Sequence, residues 1–187
     1  WKYKLVYLYD DQIFLRSLSM SDVTEEYVEW MNNPEIIQFI GSRNNCNSRE
    51  NIEKYVAKFD NKSSFHLGIF IKEPERHVGN ISIRCDLANK TASTGVLIGD
   101  KSVWGSDIVI RARRLVLKFL FEDMDIFKVT GTPLSRNIPA LFNYKKQGFI
   151  IEGTQKDQVL LADNTRADLV LFAMFRCQYR KSQTNQS

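Results

Sequence analysis

The run from Gly95 to Phe149 constrains the fold more than any other part of the chain. A short apolar strand, Gly95 to Gly99 (GVLIG), enters a polar turn, Asp100 to Asp107 (DKSVWGSD), that opens on a long amphipathic helix. A second strand and a short helix ending in Tyr144 to Phe149 (YKKQGF) follow. In the long helix, placed over Asp107 to Asp123, Ile108, Ala112, Leu115, Val116, Phe119 and Leu120 share one face; Arg111, Arg113, Arg114 and Lys118 are assigned to the other. A turn at a helix N-terminus is a natural seat for an anion. The first N–H groups have no intrahelical acceptor, and the helix dipole favours negative charge there.

The rest of the chain reads as α+β. Trp1 to Asp10 is aromatic and β-prone, and Ile13 to Leu18 is a strand. Ser21 starts a helix carrying Val23, Tyr27, Trp30 and Met31 at helical spacing, and Asn32-Asn33-Pro34 ends it. A second helix runs from Arg49 to Phe59 behind Ser48. Strands follow at Phe65–Ile71, His77–Arg84 and Thr91–Gly99, then, after the long helix, at Phe127–Thr132, Ile150–Thr154 and Ala167–Met174. Ile138 to Lys146 is the short helix. Residues 1–175 are taken as one domain, and 176–187 as a polar, basic tail predicted to fray.

Composition excludes several classes. With 187 residues, 43% apolar and 26% charged, the chain can bury a sizeable core and reads as a soluble globular protein rather than a disordered or membrane one. No apolar run approaches the ~20 residues of a bilayer span, and no secretory pattern opens the chain, so no membrane partner and a cytoplasmic location are expected. The three cysteines, Cys46, Cys85 and Cys177, are widely spaced, which predicts reduced thiols and no metal site. A net charge of +4 suits a phosphorylated ligand but is too small to imply nucleic acid.

Several segments together resemble the GNAT superfamily of acyl-CoA-dependent N-acyltransferases. IFLRSLSMSDV (Ile13 to Val23) is similar to the ribosomal-protein N-terminal acetyltransferase branch. YVEWMNNPEIIQFIGSR (Tyr27 to Arg43) is similar to enzymes acting on nucleotide-linked amino sugars. HVGNISIR (His77 to Arg84) and TGVLIGDKSVWG (Thr94 to Gly105) match that branch, and NIPALFNYKKQGF (Asn137 to Phe149) matches the family's Asn…Tyr-x-Lys-x-Gly-Phe ending. The resemblance implies a mixed, mostly antiparallel sheet of about six or seven strands, flanked by about four helices, with two central parallel strands that splay apart. It also implies acetyl-CoA as co-substrate.

The resemblance also implies roles for the positions that match. Pantetheine would pair with Val96, Leu97 and Ile98 like an added strand, and an amide-rich arm suits an unpaired edge. A plain buried strand is the alternative. Pyrophosphate would sit at Trp104, Gly105, Ser106, Asp107 and Ile108. There Asp107 replaces a customary glycine and Val109 a customary small residue; a carboxylate repels diphosphate unless it is an N-cap turned away. Arg111 and Lys101 are near enough in sequence to offset it. Asn137 would bond the pantetheine arm, or cap the short helix, or both. Tyr144 would protonate the departing thiolate as catalytic acid, the alternative being a packed helix tyrosine. Trp30, Arg43 and His66 are candidates for the acceptor pocket. His66 or His77 is a candidate base, a structural histidine or a water chain being the other readings.

The function so implied is acetyl transfer to a primary amine of a small molecule, a nucleotide-linked amino sugar by preference. Acetylation of a protein N-terminus is a second reading, and a catalytically weak binding domain of the same fold a third. The protein is expected to be a monomer or homodimer.

Overall fold

The computed structural model describes residues 5–40, 47–161 and 163–184. The aromatic start forms β1 (Tyr7–Tyr9), which pairs antiparallel with β2 (Ile13–Ser17). Asp10 turns the hairpin by accepting from the N–H groups of Gln12 and Ile13 at 2.8 Å each. The first helix starts later than Ser21. Ser19 and Asp22 form a reciprocal box around a 3₁₀ turn at Met20–Asp22, and α1 (Glu25–Asn32) is capped by Thr24. Asn33 caps the short α2 (Pro34–Ile37), with proline in the first turn where its missing N–H costs nothing. Ser48 caps α3 (Arg49–Val56).

A meander of β3 (Ser64–Lys72), β4 (Glu75–Asp86) and β5 (Thr91–Ile98) follows. The helix α4 (Ile108–Lys118) runs on into a π-helical turn at Phe119–Asp123 and delivers β6 (Lys128–Gly131) parallel to β5. Then come α5 (Ile138–Lys146), β7 (Ile150–Leu160), β8 (Arg166–Phe175) and α6 (Arg176–Thr184). The sheet has eight strands in the order β1-β2-β3-β4-β5-β6-β8-β7, the extra one being the N-terminal arm.

Strand alternation sorts the side chains into two layers. Phe14, Phe70 and Leu97 face α1, α2 and α3, where Tyr27, Trp30, Ile36, Ile52 and Val56 are buried. Leu15, Ile69, Ile81 and Ile83 face the other way, against Ile108, Ala112, Val116 and Leu120 of the long helix. Each such side chain, fully buried, contributes roughly 1.5–3 kcal/mol.

Two departures from the sequence reading matter. The segment after residue 175 does not fray at once: α6 buries Tyr179 against Phe121, and its hydroxyl donates to Glu122 at 2.8 Å. And Arg113, assigned to the polar face of the long helix, is only 2% exposed.

Candidate active site

β5 and β6 diverge. Their pairing is limited to Thr91↔Lys128, Ala92↔Val129 and Ser93↔Thr130, tied by the Thr130 hydroxyl donating to Ala92 O at 3.2 Å. β6 then stops at Gly131, and the chain turns toward β8 instead: Val170 N donates to Pro133 O at 3.0 Å and Ser135 N to Asp168 O at 2.9 Å. Pro133, lacking an N–H, cannot prolong a ladder. Beyond Ser93, β5 therefore forms one wall of a wedge.

Hydrogen-bond parity fixes which groups line that wall. Gly99 N donates to Val78 O at 3.0 Å, so the odd residues of β5 bond to β4 and the even ones point the other way. Val96 thus presents its N–H and C=O to the wedge, as does Ile98. Leu97 spends its main-chain groups on β4 and its side chain on the α1–α3 layer. The Ile98 carbonyl already accepts from the Trp104 indole N–H at 3.2 Å.

The turn into α4 is ordered by its own polar groups. Asp100 accepts from Ser102 N at 2.8 Å, Ser106 Oγ donates to Val103 O at 2.5 Å, and Gly105 takes a left-handed φ of +79° with no atom within 4 Å of a built Cβ. Asp107 occupies the N-cap position, but its side chain does not cap. It accepts instead from Arg111 Nε at 2.9 Å. Arg111 also donates from Nη1 to Asp10 at 3.0 Å and Asp11 at 2.8 Å, tying the β1–β2 turn to the start of α4. Lys101 is paired with Glu35 on α2 and lies 5.8 Å from the centre of the Trp104 ring.

Tyr144 projects from α5 into the core, against the end of β6. It is 4% exposed and stacked on Phe172, with centroids 4.8 Å apart. Its hydroxyl abuts Gly131, the last residue of β6: a Cβ built there would lie 1.9 Å from it. Over its other face sits the Arg113 guanidinium, 4.0 Å from the ring centre. Arg113 Nη1 donates to Gln147 Oε1 at 2.8 Å, and Gln147 Nε2 donates to Ile110 O at 3.1 Å. Burial lowers the proton affinity of this arginine while its contact with Tyr144 raises it. Asn137 caps α5, accepting from Ala140 N at 3.1 Å.

On the α1–α3 side of the sheet, Trp30 packs flat on Gly99, where a Cβ would fall 1.9 Å from the indole. His66 is 6% exposed, stacked on Phe59 at 4.9 Å, with Nε2 3.0 Å from the Tyr27 hydroxyl. Burial, with His77 and Arg84 nearby, holds its pKa down at about 4, so it is neutral at pH 7. His77 stacks on Phe70 at 4.7 Å, with Nε2 2.9 Å from Gly79 O and 2.8 Å from Asn80 Oδ1; burial lowers its pKa too. Arg43 and Cys46 lie outside the described residues. An open cavity of about 460 Å³ lies at the paired end of the β5–β6 seam, with Arg84, Ser93, Lys128 and Thr130 among its lining. Among the described residues, no group of three or more His, Cys, Asp or Glu side chains is placed to hold a metal ion, and no helix is long and apolar enough to cross a membrane.

Arg113, Gln147 and Gly131 were not singled out from sequence. A signal for Arg113 existed: Val109, Arg113, Val116, Leu117 and Leu120 recur at inner-face spacing, so the arginine interrupts an apolar stripe.

A parallel strand pair that parts after three rungs, with a helix N-terminus at one end and a buried tyrosine against the last residue of β6, is the geometry of an acetyltransferase-type fold. Residues 12–150 match the family model "Acetyltransferase (GNAT) domain", and the chain belongs to that family. It is similar to the probable N-acetyltransferase YjcK of Bacillus subtilis (strain 168), with 27% identity over 113 residues, 59% of this chain and 62% of that protein. The match thus spans less than two thirds of that relative. In structure it resembles spermidine N-acetyltransferase from Vibrio cholerae, solved with CoA and spermine (TM-score 0.81, 16% identity, 91% of this chain and 99% of that one). It also resembles ribosomal-protein-S5-alanine acetyltransferase from Vibrio fischeri (TM-score 0.79, 14% identity, 91% and 97%). At these identities the likeness is one of fold.

Proposed function

We propose that this chain transfers an acetyl group from acetyl-CoA, its co-substrate, to the primary amine of a small molecule, with a nucleotide-linked amino sugar as the acceptor class. The observation that carries the reading is the wedge itself: an edge of β5 left unpaired beyond Ser93, next to the end of β6 where the Tyr144 hydroxyl abuts Gly131. Val96 would pair with the amide-rich arm, and the turn from Trp104 to Ile108 would receive the pyrophosphate on open N–H groups of α4. Asp107 fits this role because Arg111 holds its carboxylate. Asn137 keeps its amide N–H₂ available while its oxygen caps α5.

In the reaction, the neutral amine attacks the thioester carbonyl. A main-chain N–H at Val96 would hold the developing oxyanion, an interaction worth about 3–4 kcal/mol where tested in other enzymes. As the carbon–sulfur bond breaks, Tyr144 Oη gives its proton to the leaving thiolate and is later reprotonated from solvent. His66, neutral and enclosed by aromatic rings, is not assigned the base; the amine's proton would leave through water. Trp30 would shape the acceptor side. A peptide N-terminus is the second acceptor reading.

Calorimetry with acetyl-CoA, followed by a thiol-release screen of nucleotide-linked amino sugars and short peptides, tests the reading. Binding in the micromolar to millimolar range and turnover with an amino sugar are expected. No heat at millimolar acetyl-CoA would leave only a binding domain of this fold.

A further inference from the structure

Arg113 is a cation kept in the core with no carboxylate. A guanidinium stays charged at any pH a protein meets, and burying one without a counter-ion is costly. Here it is 2% exposed, forms no ion pair among the described residues, and leaves its buried Nε without a partner. What it does have is a face-on seat over Tyr144 at 4.0 Å, a second ring, Phe149, at 5.8 Å, and the Gln147 side chain, itself anchored on the helix carbonyl of Ile110. Gln147 fixes the plane of the guanidinium, and Phe172 closes the other face of the tyrosine. A leucine or methionine would fill such a space without the penalty. The charge is therefore held for its effect on the ring beneath it.

We infer that Arg113 is a positioning residue for acyl transfer: it stabilises the phenolate that Tyr144 becomes on protonating the leaving thiolate, and Gln147 holds it there. This rests on the reading of Tyr144 as the acid. The step balances without another reactant: the sulfur gains the tyrosyl proton, the ring oxygen takes the negative charge beside the guanidinium, and solvent returns the proton. In the resting enzyme the same contact is a cation–π interaction with the neutral ring; on proton loss it becomes a full ion pair in a dry site.

The test is a double-mutant cycle of Arg113→Met and Tyr144→Phe, with Arg113→Lys as the charge-retaining variant and Gln147→Leu as one that leaves the arginine in place. Thiol release from acetyl-CoA is followed with the acceptor found by screening and with water. The phenolate absorbance of Tyr144 is read at one fixed alkaline pH, as the difference from the matching phenylalanine protein. Arg113→Met should lower kcat roughly tenfold, a fraction of the ~10²–10⁴ a general acid supplies, with KM for acetyl-CoA little changed. In the Tyr144→Phe background it should cost nothing more, and Arg113→Lys should recover part of the rate. The Tyr144 phenolate signal should fall several-fold in Arg113→Met. An unchanged phenolate signal in a folded Arg113→Met protein, or an equal kcat loss in both backgrounds, overturns the inference and leaves the acid in place. Wild-type turnover in Tyr144→Phe overturns the acid reading itself.

Discussion

The hydroxyl of Tyr144 rests against the α-carbon of Gly131, two residues on opposite sides of the turn that ends β6. The glycine is needed here for space, because its φ is not in the left-handed region. Even an alanine methyl would sit 1.9 Å from the oxygen and 2.4 Å from the ring carbon bearing it. Gly131→Ala should therefore displace the ring, destabilise the fold by about 1–3 kcal/mol and lower turnover, while acetyl-CoA still binds. Thermal unfolding and thiol release check this; wild-type values in both would show that the ring is not pinned.

Arg111 pairs with three carboxylates around the start of α4 and offsets part of their charge. Replacing it with alanine leaves Asp10, Asp11 and Asp107 unbalanced beside the proposed diphosphate seat. Acetyl-CoA affinity should fall several-fold, more at low salt than at high, with a stability loss of about 1 kcal/mol. Asp107→Asn, by contrast, should change affinity by less than about 0.5 kcal/mol, because the carboxylate is already engaged. A marked tightening in Asp107→Asn would mean that the side chain turns toward the phosphates. Titration calorimetry at two ionic strengths separates the outcomes.

Asn137 is given two duties that chemistry can split. Asn137→Asp keeps the oxygen that caps α5 but loses the amide donor. Stability should hold while KM for acetyl-CoA rises. Asn137→Ala loses both, and should cost about 1 kcal/mol of stability as well. Equal KM in wild type and Asn137→Asp would reduce the residue to a cap.

Burial sets the acid response of the fold through His66. Its folded pKa of about 4 lies below that of the unfolded chain, so between those values the unfolded state binds the extra proton. Stability should be level above pH ~6.5 and fall as pH drops toward 4, by roughly 1–2 kcal/mol between pH 7 and 5 from this site. His66→Gln should flatten that slope. Urea melts at several pH values measure it, and an unchanged slope would assign the response elsewhere, His77 first.

The architecture was legible because periodicity and turn residues agree along most of the chain. Strands at residues 65–71, 77–84 and 91–99 were found to within two residues at either end, and the order of elements predicted a sheet whose central pair separates. The start of α1 was misplaced because Ser19 and Asp22 build a local box that competes with the helix. The tail was misread because one aromatic, Tyr179, docks a strongly polar helix. Within the site, the edge strand and the Asp107 departure could be read from residues 95–109. The pairing of Asp107 with Arg111 follows i,i+4 geometry, but the bonds from Arg111 to Asp10 and Asp11 span about a hundred residues, and no local pattern carries them. Arg113 is hidden by its own charge: a basic residue among basic residues reads as solvent-facing, although the spacing of its apolar neighbours points inward.

Three rungs stitch the two antiparallel halves of the sheet together at β5 and β6. Such a short seam is where the molecule should come apart first. Amides of β6, β8 and β7 should exchange with deuterium as one block, ahead of those in β3 and β4. A thioester arm laid along Val96 would lengthen the stitching from within. The donor would then be a temporary strand of the enzyme it feeds, and its departure after each turnover would loosen the sheet again.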